Sequence, residues 1–304
     1  MSQSGSEHED VSTLPFRQKR LSVIERDFAA LLSKLCSDTS AVNSSRMSLK
    51  QLKGAALILG FESGWQAVTS QHKDDLAAEL RKSFEAIVNF RNNILKHHKR
   101  TSTTVLGRFV KQEARRLKKV KDRSLRVNED AIRANASRAL DASVHFYPSG
   151  SGSVIAIPST TVSGTPASRQ PLVLTCAHCM DHDDDRDDEN DDGTGPGPHD
   201  IDRSGRFKLV FWSNGRLGIA RCAAFHNRHD CALLEIRAIV ETPPTATLPP
   251  NVRDTLTFVC MSASPPPDGL KVVCIHNPDT ASGMVRCRPC EPKTANRKGI
   301  TWCY

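Results

Sequence analysis

The chain has 304 residues, 38% of them hydrophobic, 25% charged and 5% aromatic, with a formal charge of +8. This is ordinary for a soluble globular protein and leaves room for two domains, each with its own, mostly aliphatic, core. Ala55–Gly60, AALILG, falls far short of the roughly 18 uninterrupted apolar residues that a membrane span needs, so no membrane span is expected.

The N-terminal stretch MSQSGSEHEDVSTLPF lacks the apolar centre of a secretory signal. An intracellular setting, cytoplasmic or nuclear, is therefore expected, with the ten cysteines held as thiols rather than as a disulfide scaffold. The charge is spread unevenly. Residues 91–126 hold thirteen Lys/Arg against Glu113 and Asp122, whereas residues 181–192 hold nine acids against Arg186.

In chain order, residues 1–17 read as a disordered tail and 18–140 as a helical module. Leu21, Ile24, Phe28, Leu31, Leu32 and Leu35 recur at helical spacing. Ser48 followed by Gln51 predicts a capping box that opens a second helix through Leu59, stopped at Gly60. A third helix is expected from about Asp74, with Leu76, Leu80, Phe84, Ile87, Val88 and Leu95 inward. A fourth, from about Ser102 to Leu140, carries most of the basic residues.

Near residue 141 the hydrophobic period shifts to two. Candidate strands are Ser143–Tyr147, Ser153–Ile157, Leu172–Cys176, Phe207–Trp212, Leu217–Phe225 and Cys231–Ile236. Six short strands over residues 141–240 predict a small closed antiparallel barrel, with a long surface loop across 181–200. Residues 241–252 read as a proline-stiffened linker. Beyond it, Thr255–Met261, Lys271–His276 and Gly283–Cys287 predict two or three further strands within 253–304.

The stretch PLVLTCAHCM, residues 171–180, ends a strand with a histidine between two cysteines. Downstream, His229-Asp230-Cys-Ala-Leu-Leu places one carboxylate at the start of an apolar strand. A histidine and an aspartate at such strand ends supply the imidazole–carboxylate pair that acyl-transfer chemistry needs.

Thr175-Cys-Ala-His-Cys179 resembles the Thr-Ala-Ala-His-Cys box of trypsin-like serine proteases, and Asp230-Cys-Ala-Leu-Leu is similar to their Asp-x-Ala-Leu-Leu box. Cys274-Ile-His-Asn-Pro278 and Ser282-Gly-Met-Val285 resemble a second-barrel segment of intracellular HtrA-type members. The resemblance covers roughly 141–290 and implies an α+β multidomain chain: an N-terminal helical region, a trypsin-like β-barrel and an incomplete second barrel. It implies a serine-type endopeptidase acting on protein or peptide, with His178 as general base and Asp230 as its orienting partner.

The family's Gly-x-Ser-Gly-Gly box, which supplies nucleophile and oxyanion hole, is missing. Five Ser-Gly pairs precede Asp230, and Ser282-Gly283 matches a strand of the family instead. The chain is therefore expected to be inactive as written, being either truncated or a pseudoenzyme, and residues 253–304 are expected to pack poorly. Cys287 or Cys290 as substitute nucleophile lacks a glycine-rich oxyanion turn.

No cofactor motif and no metal site are expected. Cys287-x2-Cys290 has ligand-like spacing without a second pair nearby, and a continuing strand sends Cys176 and Cys179 to opposite faces. The alternative reading is a non-catalytic interaction or nucleic-acid-binding protein. Its basic helix 91–126, with Lys96, Lys99, Arg100, Lys111 and Arg115, would meet an acidic or nucleic-acid partner through phosphate contacts.

Overall fold

The structure is a computed structural model that describes residues 13–15, 20–37, 44–61, 69–100, 107–108, 111–112, 115, 129–158, 169–181, 201–240, 255–259, 272–276 and 286–290. Four helices are described: α1 (Val23–Ser37), α2 (Leu49–Leu59), α3 (Lys73–Arg100) and α4 (Glu129–Ala142). Most of the basic segment 91–126 lies outside the described residues. Arg91, at its start, turns inward, its Nε donating to the Gly215 carbonyl at 2.9 Å.

Each of the first two helices starts on a reciprocal cap. At α1 the Ser22 N–H donates to Glu25 Oε2 at 2.7 Å, and the Glu25 N–H donates to Ser22 Oγ at 3.3 Å. At α2 the Ser48–Gln51 box forms as the spacing predicts, and Gly60 closes the helix at φ 75°, its N–H reaching Ala56 O and Leu57 O. In α3 the inward face is Leu76, Leu80, Phe84, Ile87, Phe90 and Ile94. Leu95, expected inward, is 38% exposed. The helical period brings Ile94, not Leu95, back onto the stripe two turns after Ile87.

The strands are β1 (Thr13–Pro15), β2 (Ser143–Tyr147), β3 (Ser151–Pro158), β4 (Arg169–Thr175), β5 (Phe207–Trp212), β6 (Leu217–His226), β7 (Cys231–Val240), β8 (Thr255–Thr257), β9 (Val272–His276) and β10 (Arg286–Cys290). Strands β2 to β7 form a closed antiparallel barrel in the order β2-β3-β4-β7-β6-β5. Closure comes from β2, where Val144 faces Gly152 of β3 on one side and Trp212 of β5 on the other. The α+β architecture of helices followed by a six-stranded barrel is thus as the patterning predicts.

The two parts do not keep separate cores. The barrel interior holds Val144, Phe146, Val154, Val173, Val210, Trp212, Leu234 and Ile236. Leu209, Phe211, Leu217, Ile219, Ala238 and Val240 instead face outward into one cluster with Phe28, Leu32, Leu52, Phe84, Ile87 and Phe90 of the helices. Phe90 sets its ring edge-on to Phe211 at 5.0 Å and to Tyr147 at 5.7 Å.

A bulge makes this double-sided burial possible. Ile219 pairs with Ala238 and Ala220 with Ile236, so Arg237 is an extra residue in β7. One inserted residue flips every later side chain to the other face. Ala232, Leu234 and Ile236 therefore point into the barrel, and Ala238 and Val240 point to the helices. Arg237 itself reaches back to α1. Its Nε meets Glu25 Oε1 at 2.7 Å, its Nη2 donates to the Arg20 carbonyl at 3.2 Å, and its Nη1 meets Glu235 at 3.1 Å.

Two details differ from the reading of the ends. Thr13–Pro15, within the stretch expected to be a disordered tail, pairs antiparallel with Thr255–Thr257. The expected loose packing from 253 onward also fails at Leu256 and Phe258, which are buried in the barrel's interior cluster. There the Val259 N–H donates to Val154 O at 2.9 Å, so the segment lies along β3. Strands β9 and β10 pair with each other, and among the described residues they close no second barrel.

Glu25 is 3% exposed and Arg237 14%. Burial opposes ionisation of Glu25, but hydrogen bonds from Arg237 and Ser22 outweigh it and hold the carboxyl below its ordinary 4.5. We expect Arg237→Ala, which strands that carboxylate, to cost about 3 kcal/mol in urea unfolding at neutral pH. Glu25→Gln should cost less, because Arg237 keeps Glu235. A depressed carboxyl stabilises above its unfolded value and loses that contribution as pH falls through its lower folded value. Wild type should therefore lose more stability than Arg237→Ala between roughly pH 5 and 3; parallel acid curves would refute the pairing.

Candidate active site

The β4–β7 register brings the two predicted residues together. Thr175 faces Ala232, so the turn after Thr175 meets the residues just before Ala232. Cys176 leaves the strand in extended conformation and opens a 3-10 turn, Ala177–Met180. Ala177 and Met180 are buried and pin the turn, leaving His178 on its outer side. Asp230 follows a second 3-10 turn, Asn227–His229, at φ 46° and ψ 52°. Aspartate is among the few residues that tolerate this left-handed region, because its short polar side chain bonds locally.

Across these turns Asp230 grips His178 at two points. Its Oδ1 accepts the His178 backbone N–H at 3.0 Å, and its Oδ2 lies 2.6 Å from Nδ1 of the ring. An ionised carboxylate only accepts, so Nδ1 carries the proton and Nε2 faces away from Asp230. The side chains are 60% and 41% exposed, at the rim of the barrel.

Arg203, which nothing in the sequence marks, ties the two turns together. It is buried, and its Nε and Nη2 make a two-pronged bond to Asp181 at 2.6 and 2.9 Å. Its Nη1 reaches Asn227 Oδ1 at 2.5 Å. Asp181 caps the His178 turn and Asn227 opens the Asp230 turn, so one guanidinium spans both. Asp181 had read as the first residue of a solvated acid run; the structure makes it an anchor instead.

The flanking thiols are the second feature that the spacing did not reveal. A strand continuing past Thr175 would separate Cys176 from Cys179, but the strand stops there. The turn brings the Cys179 N–H to the Cys176 carbonyl at 3.2 Å and hydrogen-bonds the two thiols. That bond from Cys176, opposed by burial and aided by His178 and Thr175, pulls the Cys179 thiol down to about 4. The bond to Cys179, opposed by burial and aided by Asp230, pushes His178 up to about 9. Cys176 is pushed well above the thiol range by the same bond, by burial and by neighbouring negative charge. Both shifts favour an ionised Cys179 thiol beside a protonated His178 ring.

Ser282 is outside the described residues; Cys287 and Cys290 are described only as positions on β10. Among the described residues no serine hydroxyl bonds the His178 ring. Described Cys36, Cys176, Cys179, Cys222 and Cys231 are free.

Neither protein-family models, nor curated proteins, nor solved structures give a match to this chain. The fold and site define a closed six-stranded antiparallel barrel, compatible with the trypsin-like fold, that carries a histidine–aspartate pair and two thiols at its rim.

Two outcomes follow from this geometry. In chelator-containing buffer at about pH 6, iodoacetamide should modify Cys179 before Cys176, because the thiolate is the attacking form and Cys179 is the thiol held low. His178→Ala should slow the reaction, and peptide mapping by mass spectrometry reads both effects. Arg203→Ala should cost about 3 kcal/mol by leaving Asp181 unpaired, with Arg203→Lys recovering only part. Thermal unfolding at neutral pH measures it, and an unchanged midpoint would remove Arg203 from this role.

Proposed function

We infer that this chain is built on the serine-type endopeptidase plan, with protein or peptide as substrate, His178 as general base and Asp230 as the residue that orients it. The observation that carries the reading is the two-point grip of Asp230 on His178 at the ends of neighbouring barrel strands. In acyl transfer, a carboxylate on Nδ1 leaves Nε2 to take the proton of an attacking hydroxyl and to return it to the leaving amine. The Thr175–Cys179 and Asp230–Leu234 boxes, in that order, support the same reading. Free thiols in the described residues fit an intracellular setting.

The 304 residues contain no Gly-x-Ser-Gly turn after Asp230, and among the described residues no serine hydroxyl bonds the His178 ring. The site is also tuned away from base work at neutrality. With His178 pushed up to about 9, the unprotonated ring that a base requires becomes abundant only near that pH.

Proton spectroscopy tests the pair. A hydrogen bond this short should place the His178 Nδ1 proton far downfield of ordinary imidazole protons, and Asp230→Asn should abolish that resonance. A fluorophosphonate probe tests the rest: we expect the 304-residue chain to stay unlabelled. Lack of the downfield proton would overturn the pair itself. Serine labelling that vanishes in His178→Ala would instead overturn the statement that the chain has no nucleophile.

A further inference from the structure

We propose that Cys176, His178 and Asp230 form a binding site for a thiophilic divalent transition-metal ion, of the zinc or cobalt class. One donor atom from each, a sulfur, a ring nitrogen and a carboxylate oxygen, lies within 4.8 Å of the other two. A tetrahedral ion with sulfur at about 2.3 Å and nitrogen or oxygen at about 2.1 Å holds its donors about 3.3 to 3.7 Å apart. The cluster is within about 1 Å of that spacing. The thiol has to close in slightly, and the Nδ1–Oδ2 contact has to open from its 2.6 Å.

The chemistry of the donors selects the ion. A thiolate and an imidazole are poor ligands for calcium or magnesium and good ones for zinc, cobalt or nickel. Thiolate and carboxylate together carry two negative charges, which neutralise a divalent cation once the thiol proton and the proton between Nδ1 and Oδ2 have left to solvent. No electron moves and no bond other than coordination forms.

The surroundings hold the donors for this use. The 3-10 turn fixes Cys176 and His178 two residues apart on one side, and Arg203 joins that turn to the one bearing Asp230. Cys179 is hydrogen-bonded to the Cys176 thiol and is seated against Gly150, where an added Cβ would stand 3.0 Å from its sulfur at a backbone φ of +104°. His178 and Asp230 are exposed, so water can reach an ion held by the three donors and supply its fourth ligand. An ion on Nδ1 replaces the Asp230 contact that would orient the ring as a base, so metal binding and base catalysis by His178 exclude each other. The binding itself does not depend on the peptidase reading.

The test uses the full 304-residue chain, stripped with chelator, dialysed and titrated with cobalt(II). A thiolate-to-cobalt charge-transfer band in the near ultraviolet should rise to a plateau at one equivalent, and zinc should displace it. Cys176→Ser should abolish the band, whereas Cys36→Ser, on α1 away from the site, should leave it unchanged. Asp230→Asn should weaken binding by more than the roughly 10–100-fold typical of losing an outer-shell partner. Circular dichroism on each variant separates lost binding from lost folding; if Cys176→Ser does not fold, the Asp230→Asn titration decides. No band at one equivalent, a band that survives Cys176→Ser, or unchanged affinity in Asp230→Asn would overturn the site. A metal site found without the downfield His178 proton would sink the peptidase reading alone.

Discussion

The ion pair between Glu25 and Arg237 joins two accidents of local structure that the rest of the molecule relies on. Glu25 is the third residue of α1 and completes its cap with Ser22. Arg237 is the inserted residue of a bulge, the position where β7 stops serving the barrel interior and begins serving the helices. Because the bulge re-aims Ala238 and Val240, the barrel wall acquires a second apolar face, and the helices cover it. A charged pair this buried stabilises only when its hydrogen bonds are complete. Here the carboxylate accepts from Ser22 and Arg237, and the guanidinium also meets Glu235 and the Arg20 carbonyl.

The rim site shows how strand register converts distant sequence into chemistry. Pairing of Thr175 with Ala232 leaves two short turns side by side, and the contacts of Asp230 with a backbone N–H and a ring nitrogen follow from that placement. Holding the turns still is left to Arg203, whose planar fork suits a carboxylate better than a lysine would. Cys179 and Asp230 both favour the protonated His178 ring, while Asp230 disfavours ionisation of Cys176. The His178 ring meets the Asp230 carboxylate through Nδ1 and leaves Nε2 on the other side of the ring.

Much of the architecture was legible in the residues. The Ser48–Gln51 cap, the stop at Gly60, six strands with their approximate limits, and the identity of His178 and Asp230 as a candidate pair all rest on short-range patterns. Such patterns are local: a cap needs three residues, a strand face needs alternation, and a rim pair needs polar residues at two strand ends. The opposite-face reading of Cys176 and Cys179 required a strand continuing through both, and the strand ends at Thr175.

What the amino-acid order determined by itself was therefore the kind of element at each stretch and the residue types able to do chemistry. Only the tertiary structure decided that helices and barrel share a core, that Arg237 answers Glu25 across 212 positions, and that Arg203 spans the two turns. Those depend on a bulge, a register and a loop crossing. Each is set by the summed packing of residues far apart in the chain, so no window of sequence contains the information.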